Sequence, residues 1–132
     1  MTVLDASVVV NALANDSGPG RAARERLAAL TKADAPAVVR AETMAGLRRR
    51  VRAGDLSAGR AEWALGGLGR LALTLHGIEP VVARVWDLRE NLTIYDAWYV
   101  ALAEALDTTL VTADARLASA PGVRCPVEVV TG

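Results

Sequence analysis

Short apolar runs alternate with longer amphipathic segments along the whole chain. Each apolar run is bounded by charged residues, Gly or Pro, which predicts five strands, at 2–5, 35–39, 73–79, 108–112 and 127–130. The segments between them repeat their apolar positions at helical spacing, which predicts helices at 6–15, 21–33, 40–54, 56–72, 80–91, 94–106 and 114–120. Strands that alternate with helices in this way indicate an α/β fold, with a mostly parallel central sheet and helices on both faces.

Length and composition limit the class of protein. A chain of 132 residues with 52% hydrophobic residues can bury one core, so we expect one domain over residues 1–132. No apolar run is long enough for a bilayer, and the N-terminus lacks the pattern of a signal peptide. The only cysteine is Cys125, which fits a protein of the reducing cytoplasm. The formal net charge is zero, which argues against non-specific coating of nucleic acid.

The segment "IYDAWYVALAEAL" (94–106) is the clearest amphipathic helix. Its apolar positions, from Tyr95 through Trp98 and Tyr99 to Leu106, share one face and are expected to pack on the core. Asp96 lies beside this stripe in the first turn. Thr93 precedes it by three residues, which matches the T-x-x-D form of a capping box. On this segment alone, capping is the better explanation of Asp96.

Four acids lie where a parallel sheet would bring them together. Asp5 follows the first strand, Glu42 comes soon after the second, Asp114 follows "TTLVT", and Asp96 opens the helix that leads into that strand. Ligands of open parallel sheets bind beyond the carboxyl ends of the strands, so these acids are candidates for one pocket. Clustered carboxylates repel one another, and a divalent cation such as Mg²⁺, which prefers oxygen ligands, removes that repulsion.

Each acid also has a purely structural interpretation. Asp5 and Asp114 could simply cap the helices that follow them. Glu42 points nearly opposite the apolar stripe of its helix, which favours a solvated side chain. The hydroxyls of Ser7 and Thr112, each two residues from an acid, could orient carboxylates or waters around a metal. Spacing alone therefore leaves both interpretations open.

Three blocks of the sequence resemble the PIN domain, and more narrowly a VapC-type toxin of bacterial toxin–antitoxin systems. They are "VLDASVVVNAL", "APAVVRAETMAGLRR" and "NLTIYDAWYVALAEALDTTLVTADARLA", in the expected order over nearly the whole chain. The resemblance implies a PIN-like three-layer sandwich and an endoribonuclease that depends on Mg²⁺ or Mn²⁺. The acidic positions of the family, which imply metal ligation and catalysis, correspond to Asp5, Glu42, Asp96 and Asp114. Ser7 and Thr112 correspond to its polar positions around the metal.

The implied reaction is in-line attack of metal-activated water on RNA, which leaves 3′-hydroxyl and 5′-phosphate ends. His76 is the only histidine, so an acid–base pair of histidines is not available. The chain departs from the resemblance at Asn11, where many relatives carry an acid. A neutral residue there implies weaker metal affinity or a weaker second metal site, while the four main acids remain. Arg116 stands where some relatives have a further acid.

The resemblance also implies partners: an RNA substrate, a second copy of the chain in a homodimer, and a VapB-type antitoxin whose C-terminal segment lies in a groove. Trp63 is a candidate for that groove, although packing between helices is the more economical explanation. The cluster "LRRRVR" offers Arg48, Arg49 and Arg52 as RNA contacts, with a solvated helix end as the alternative.

Two other functions stay open at this stage. One is a phosphohydrolase of the haloacid dehalogenase kind, which would begin from "VLDAS" but lacks the second Asp expected at Ser7. The other is a PIN-like binding module that retains partners but no metal.

Overall fold

The computed structural model describes residues 1–132, and its centre is a sheet of five parallel strands. The strands are β1 (Thr2–Leu4), β2 (Asp34–Pro36), β3 (Thr74–His76), β4 (Thr109–Thr112) and β5 (Val127–Val129). Their order across the sheet is β3-β2-β1-β4-β5, so β1 lies in the middle. In the register, Val3 pairs with both Asp34 of β2 and Leu110 of β4. The α/β fold with a parallel sheet is confirmed.

Seven helices connect and cover the strands: α1 (Ala6–Ala14), α2 (Gly18–Ala28), α3 (Val39–Arg52), α4 (Ala58–Arg70), α5 (Val82–Asp87), α6 (Ile94–Ala105) and α7 (Ala115–Ser119). A 3₁₀ turn (Glu79–Val81) leads into α5. Hydroxyl side chains cap two of the helices. The Ser57 hydroxyl accepts from the amide of Arg60 at the start of α4, and the Thr93 hydroxyl accepts from the amide of Asp96 at the start of α6. None of the helices has the length and apolar character needed to span a membrane.

Helices cover both faces of the sheet, as predicted, because alternate strand residues point to opposite sides. Val3 joins one buried cluster with Val85, Tyr99 and Leu102, which lies under α5 and α6. Leu4 joins the other with Val8 and Leu68, under α1, α2 and α4. A third cluster, which includes Val10, Leu47 and Ala64, holds α1, α3 and α4 together. The fold is therefore a three-layer sandwich.

The second strand is shorter than predicted, and α3 begins inside the predicted run. Strand β2 ends at Pro36, and Val39, the last residue of the predicted strand, is already helical. Valine is β-branched and favours strands only weakly, so tertiary packing overrides that preference. Here Val39 is fully buried in the cluster under α5 and α6. The early helix start places Glu42 in the first turn of α3.

The apolar stripe predicted for α3 is only partly buried. Leu47 of that stripe is buried, but Met44 is 51% exposed, and the buried side also includes Val39, Thr43 and Gly46. Thr43 tolerates burial because its hydroxyl donates to the carbonyl of Val39 at 2.8 Å. The buried side is therefore rotated away from Met44 towards a threonine and a glycine.

Two aromatic side chains expected to pack, Tyr95 and Trp63, are exposed instead, at 53% and 68%. Trp86 is also exposed, at 60%. Trp63 lies under the guanidinium of Arg60, 4.5 Å from the ring centre. The rest of the predicted stripe on α6 is confirmed, with Tyr99 and Leu102 buried.

Candidate active site

The four acids lie at the carboxyl edge of the sheet. Asp5 directly follows β1, and Asp114 follows β4 after one residue. Glu42 lies in the first turn of α3, which β2 feeds, and Asp96 lies in the first turn of α6. Their charges act on one another: Asp5 and Asp96 both act on Glu42, and Asp5 and Asp114 both act on Asp96. The sheet-edge argument therefore brings together the residues that the sequence singled out.

Asp5 is the most rigidly held of the four. The residue is 7% exposed, and its Oδ2 accepts from the hydroxyls of Ser7 at 2.5 Å and Thr112 at 2.8 Å. Each hydroxyl in turn accepts a backbone amide, Ala113 N–H at 2.9 Å for Ser7 and Asp114 N–H at 3.0 Å for Thr112. Because those amides donate, the hydroxyl protons are directed at Asp5. This network ties the end of β1 to the end of β4.

Burial and mutual repulsion disfavour the charged forms of three acids. Burial raises the pKa of Asp5, although the Ser7 and Thr112 hydroxyls oppose this. Burial also raises the pKa of Glu42, and the charges of Asp5 and Asp96 add to that effect. The pKa of Asp96 is raised by burial and by the charges of Asp5 and Asp114. None of these three carboxylates has an arginine, lysine or histidine within salt-bridge distance.

Glu42 is half-buried, so the prediction of a solvated glutamate from periodicity was wrong. The buried hydroxyl of Tyr99 faces it from α6 and lowers the pKa of Glu42, against the larger effect of burial. No contact of the Tyr99 hydroxyl, including those with Glu42 and the Ala6 amide, reaches full hydrogen-bond geometry. Sequence reasoning missed Tyr99 because it lies on the apolar stripe of α6, which explained it fully.

Asp114 differs from the other three acids. Its carboxylate caps α7, because Oδ1 accepts from the backbone amide of Arg116 at 3.0 Å. It also forms a two-pronged ion pair with the Arg116 guanidinium, with Nε–Oδ1 at 3.0 Å and Nη2–Oδ2 at 2.6 Å. Hydrogen bonding to Arg116 is the main reason that the pKa of Asp114 lies below its ordinary value. The capping interpretation therefore holds for Asp114.

The side chain of Asn11 is directed elsewhere. It is buried on α1, and its Oδ1 accepts from the guanidinium of Arg50 on α3 at 2.5 Å. Asn11 has no side-chain hydrogen bond to Asp5, Glu42, Asp96 or Asp114. The single histidine, His76, pairs with the buried Asp34 at 2.8 Å and not with any of the four acids.

The acids form a chain of neighbours rather than a closed metal cage. No three His, Cys, Asp or Glu side chains come close enough together to hold a metal ion as a ready-made group. Mg²⁺ does not require such a group, since it usually keeps several waters and takes one or two carboxylates. Three carboxylates that repel one another and have no cationic partner fit a divalent cation in charge and in donor type.

Comparison with known proteins places the chain in a family. The sequence profile of the PIN domain matches residues 2–123. Ribonuclease VapC9 of Mycobacterium tuberculosis is 42% identical over 130 residues, which are 98% of each chain. Ribonuclease VapC1 of the same organism is 40% identical over 129 residues, which are 97% of this chain and 96% of the relative.

Solved structures agree on the fold. The toxin VapC20 of M. tuberculosis, described as cleaving the sarcin–ricin loop, superposes with a TM-score of 0.72 at 14% identity and covers 94% of this chain and 97% of its own. VapBC2 of Rickettsia felis, bound to a promoter DNA fragment, gives 0.68 at 17% identity and covers 98% of both chains. The sequence identities, together with the acids at the sheet edge, show that the chain belongs to the PIN-domain family, among the VapC ribonucleases.

Proposed function

We propose that this chain is the toxin of a toxin–antitoxin pair, an endoribonuclease that hydrolyses RNA with Mg²⁺ or Mn²⁺. The observation that carries the proposal is the group of Asp5, Glu42 and Asp96. All three are buried or half-buried, all have raised pKa values, and none is ion-paired. A fold keeps such uncompensated charge mainly where function needs it. The 42% identity to a named ribonuclease supports the same reading.

The residues divide the work as follows. Asp5, Glu42 and Asp96 would hold the cation in part through its bound waters, since no three of these side chains lie close enough to bind one ion directly. Asp114 would join them if its carboxylate turned from Arg116. When bound, Mg²⁺ or Mn²⁺ activates water for attack on phosphorus and stabilises the charge on the leaving oxygen. The hydroxyls of Ser7 and Thr112 keep the carboxylate of Asp5 in one orientation.

Two acid variants and one matched control test the proposal. Asp5→Asn and Asp96→Asn keep the shape of the side chain but remove its charge, and we expect RNA cleavage to fall by about 100-fold or more. Glu90→Gln removes an exposed carboxylate on the segment before α6 and is expected to cleave at the wild-type rate. Calorimetry should show Mn²⁺ binding to the wild type and the control, and weak or no binding to Asp5→Asn.

The outcomes separate the alternatives. Wild-type protein that binds neither Mg²⁺ nor Mn²⁺ would favour a non-catalytic PIN-like module. Rapid hydrolysis of a small phosphate ester without RNA cleavage would favour a phosphohydrolase. Because the chain belongs to the PIN family, that alternative has no other support. Growth arrest on expression, relieved by a small gene next to this one, tests the toxin assignment.

We also propose that the chain acts as one domain in the cytoplasm, where its RNA would be, and that it forms a homodimer and binds a VapB-type antitoxin. For the dimer, Val82 and Trp86 lie one turn apart on α5 and are 52% and 60% exposed. Apolar side chains exposed together are typical of interaction surfaces. Light scattering during gel filtration gives the mass, and Trp86→Glu should shift a dimer towards the monomer.

A further inference from the structure

A cleft of about 560 Å³ opens beside the acids and is lined by three arginines, Arg49, Arg50 and Arg116. It lies between α1, α3 and the start of α7. Ser7 and Asp114 form part of its wall, so the cleft adjoins the site described above. The cleft also includes Asp55, which is exposed. Three arginines against Asp55 and Asp114 leave one net positive charge in its lining.

The positive charge is concentrated on two residues. Arg116 is paired with Asp114, which neutralises it. Arg49 and Arg50 have no acidic partner within salt-bridge distance. Arg50 is held by the neutral amide oxygen of Asn11, which orients the guanidinium without cancelling its charge. Arg49 is exposed and faces both the cleft and Glu42.

The neighbouring surfaces do not share this character. A second cavity continues from the first through Arg50 and Asp55, but there Arg60 is paired with Asp16 at 3.3 Å, so the charges of its lining balance. Arg48 lines an apolar groove with Met44 and Leu65 on another side of α3. Arg52 lies outside both cavities. Of the arginines that the sequence suggested, only Arg49 therefore faces the acids.

We propose that Arg49 and Arg50 form a phosphate-binding subsite, which holds a phosphodiester of single-stranded RNA next to the bond that is cut. This rests on the proposed ribonuclease function. Guanidinium groups bind phosphate oxygens through two parallel hydrogen bonds, and proteins that bind single strands follow the backbone with such groups. RNA is favoured over an acidic protein segment because Asp114, and Ser7 that binds Asp5, line the cleft, so a strand that reaches the acids would pass through it.

The test compares neighbouring arginines of one helix. Arg49→Ala and Arg50→Ala are expected to raise the KM for a labelled oligoribonucleotide about fivefold to tenfold, with kcat changed less than about twofold. The salt dependence of RNA binding, measured by fluorescence anisotropy in EDTA, should lose about 0.7 in slope for each phosphate contact removed. Arg48→Ala makes the same change in charge one residue away and should behave as wild type.

Two further variants separate charge from structure. Arg50→Lys keeps the positive charge and should recover most of the RNA affinity that Arg50→Ala loses. Asn11→Asp places a carboxylate on Arg50 and should weaken RNA binding about as much as Arg50→Ala, with no loss in melting temperature. A purely structural role of Arg50 would move melting temperature and leave the salt slope unchanged.

The proposal is overturned if Arg49→Ala and Arg50→Ala match Arg48→Ala in KM and salt slope while RNA is still cleaved. It is also overturned if both variants weaken binding of a labelled polyglutamate peptide but not of RNA, because the cleft would then take an acidic protein segment. A wild-type protein that neither binds nor cleaves RNA would overturn this subsite and the proposed function together.

Discussion

From the position of the Tyr99 hydroxyl, we expect Tyr99→Phe to raise stability and to lower RNA cleavage. Tyr99 is fully buried on α6, and its hydroxyl oxygen has no hydrogen-bond partner. Burial, together with the charges of Glu42 and Asp5, raises the pKa of Tyr99, so the hydroxyl stays protonated. A neutral buried hydroxyl of this kind has lost its hydration and gained in return only partial contacts, with Glu42 and the Ala6 amide.

Tyr99→Phe removes that hydroxyl and keeps the ring. An unsatisfied buried polar group costs about 1–3 kcal/mol, and the partial contact with Glu42 offsets some of this, so we expect a gain in stability of about 1 kcal/mol. With an unfolding entropy of about 2.1 cal/mol/K per residue, this corresponds to a rise in Tm of about 4 °C for a chain of 132 residues. RNA cleavage should fall in the same variant, because Glu42 loses a hydroxyl that lowers its pKa.

Thermal unfolding by circular dichroism without divalent metal gives the first effect, and cleavage of a labelled RNA gives the second. Tyr95→Phe is the matched control, since Tyr95 lies on the same helix but is 53% exposed, and its Tm should stay within about 1 °C of wild type. A clear fall in Tm for Tyr99→Phe would refute the reasoning, because it would mean that the hydroxyl has a hydrogen-bond partner in solution.

Two further substitutions test packing and charge elsewhere in the fold. A Cβ at Gly46 would lie 2.8 Å from Cγ2 of Val10, so Gly46→Ala should lower Tm through overpacking of α1 against α3. Gly69→Ala meets nothing within 4 Å and should raise stability by about 0.5–1 kcal/mol through helix propensity. The Arg84 guanidinium, at 2.6 Å, and the amide of Arg124 lower the pKa of Glu104 against its burial, so Glu104→Gln should cost about 2 kcal/mol at neutral pH. Because folding lowers the pKa of Glu104, the stability advantage of wild type over Glu104→Gln is fully present above the ordinary glutamate pKa of about 4.3. That advantage is lost as the pH falls through the lowered pKa of Glu104 in the folded protein. A difference in Tm between the two proteins that persists at the lowest pH would contradict this.

The order of strands and helices could be predicted from sequence because each element carries its own period. Asp5 and Asp114 could be placed together for a related reason: parallel strands end at one edge, and both residues lie within two positions of the end of a strand. The contact of Ser7 with Asp5 fits their spacing of two residues, whereas the Thr112 hydroxyl donates to Asp5, 107 residues away, and not to the carboxylate of Asp114. These inferences need only local spacing and one general rule of topology.

The prediction failed where the most hydrophobic side of a helix is not its buried side. On α3, the most apolar stripe includes Met44, which is exposed, while the side that meets the core carries Thr43 and Gly46. Periodicity identifies the most hydrophobic side of a helix, and it cannot identify a side that is buried because it is small or internally hydrogen-bonded. The half-burial of Glu42 was missed for that reason. The contact between Arg50 and Asn11 could not be predicted from sequence, because the two residues lie 39 positions apart on different helices.

The four acids are not equivalent, and the helix caps show why. Thr93 caps α6 through its hydroxyl, but the Asp96 carboxylate accepts no hydrogen bond from the Thr93 amide, so only half of the predicted capping box forms. The pKa of Asp96 is raised by burial and by the charges of Asp5 and Asp114, and the nearby Thr93 side chain only partly opposes this. In contrast, the carboxylate of Asp114 caps α7 and forms an ion pair with Arg116. The proposed cation site thus rests mainly on Asp5, Glu42 and Asp96, and the capping box that seemed to explain Asp96 accounts for its backbone amide but not for its carboxylate.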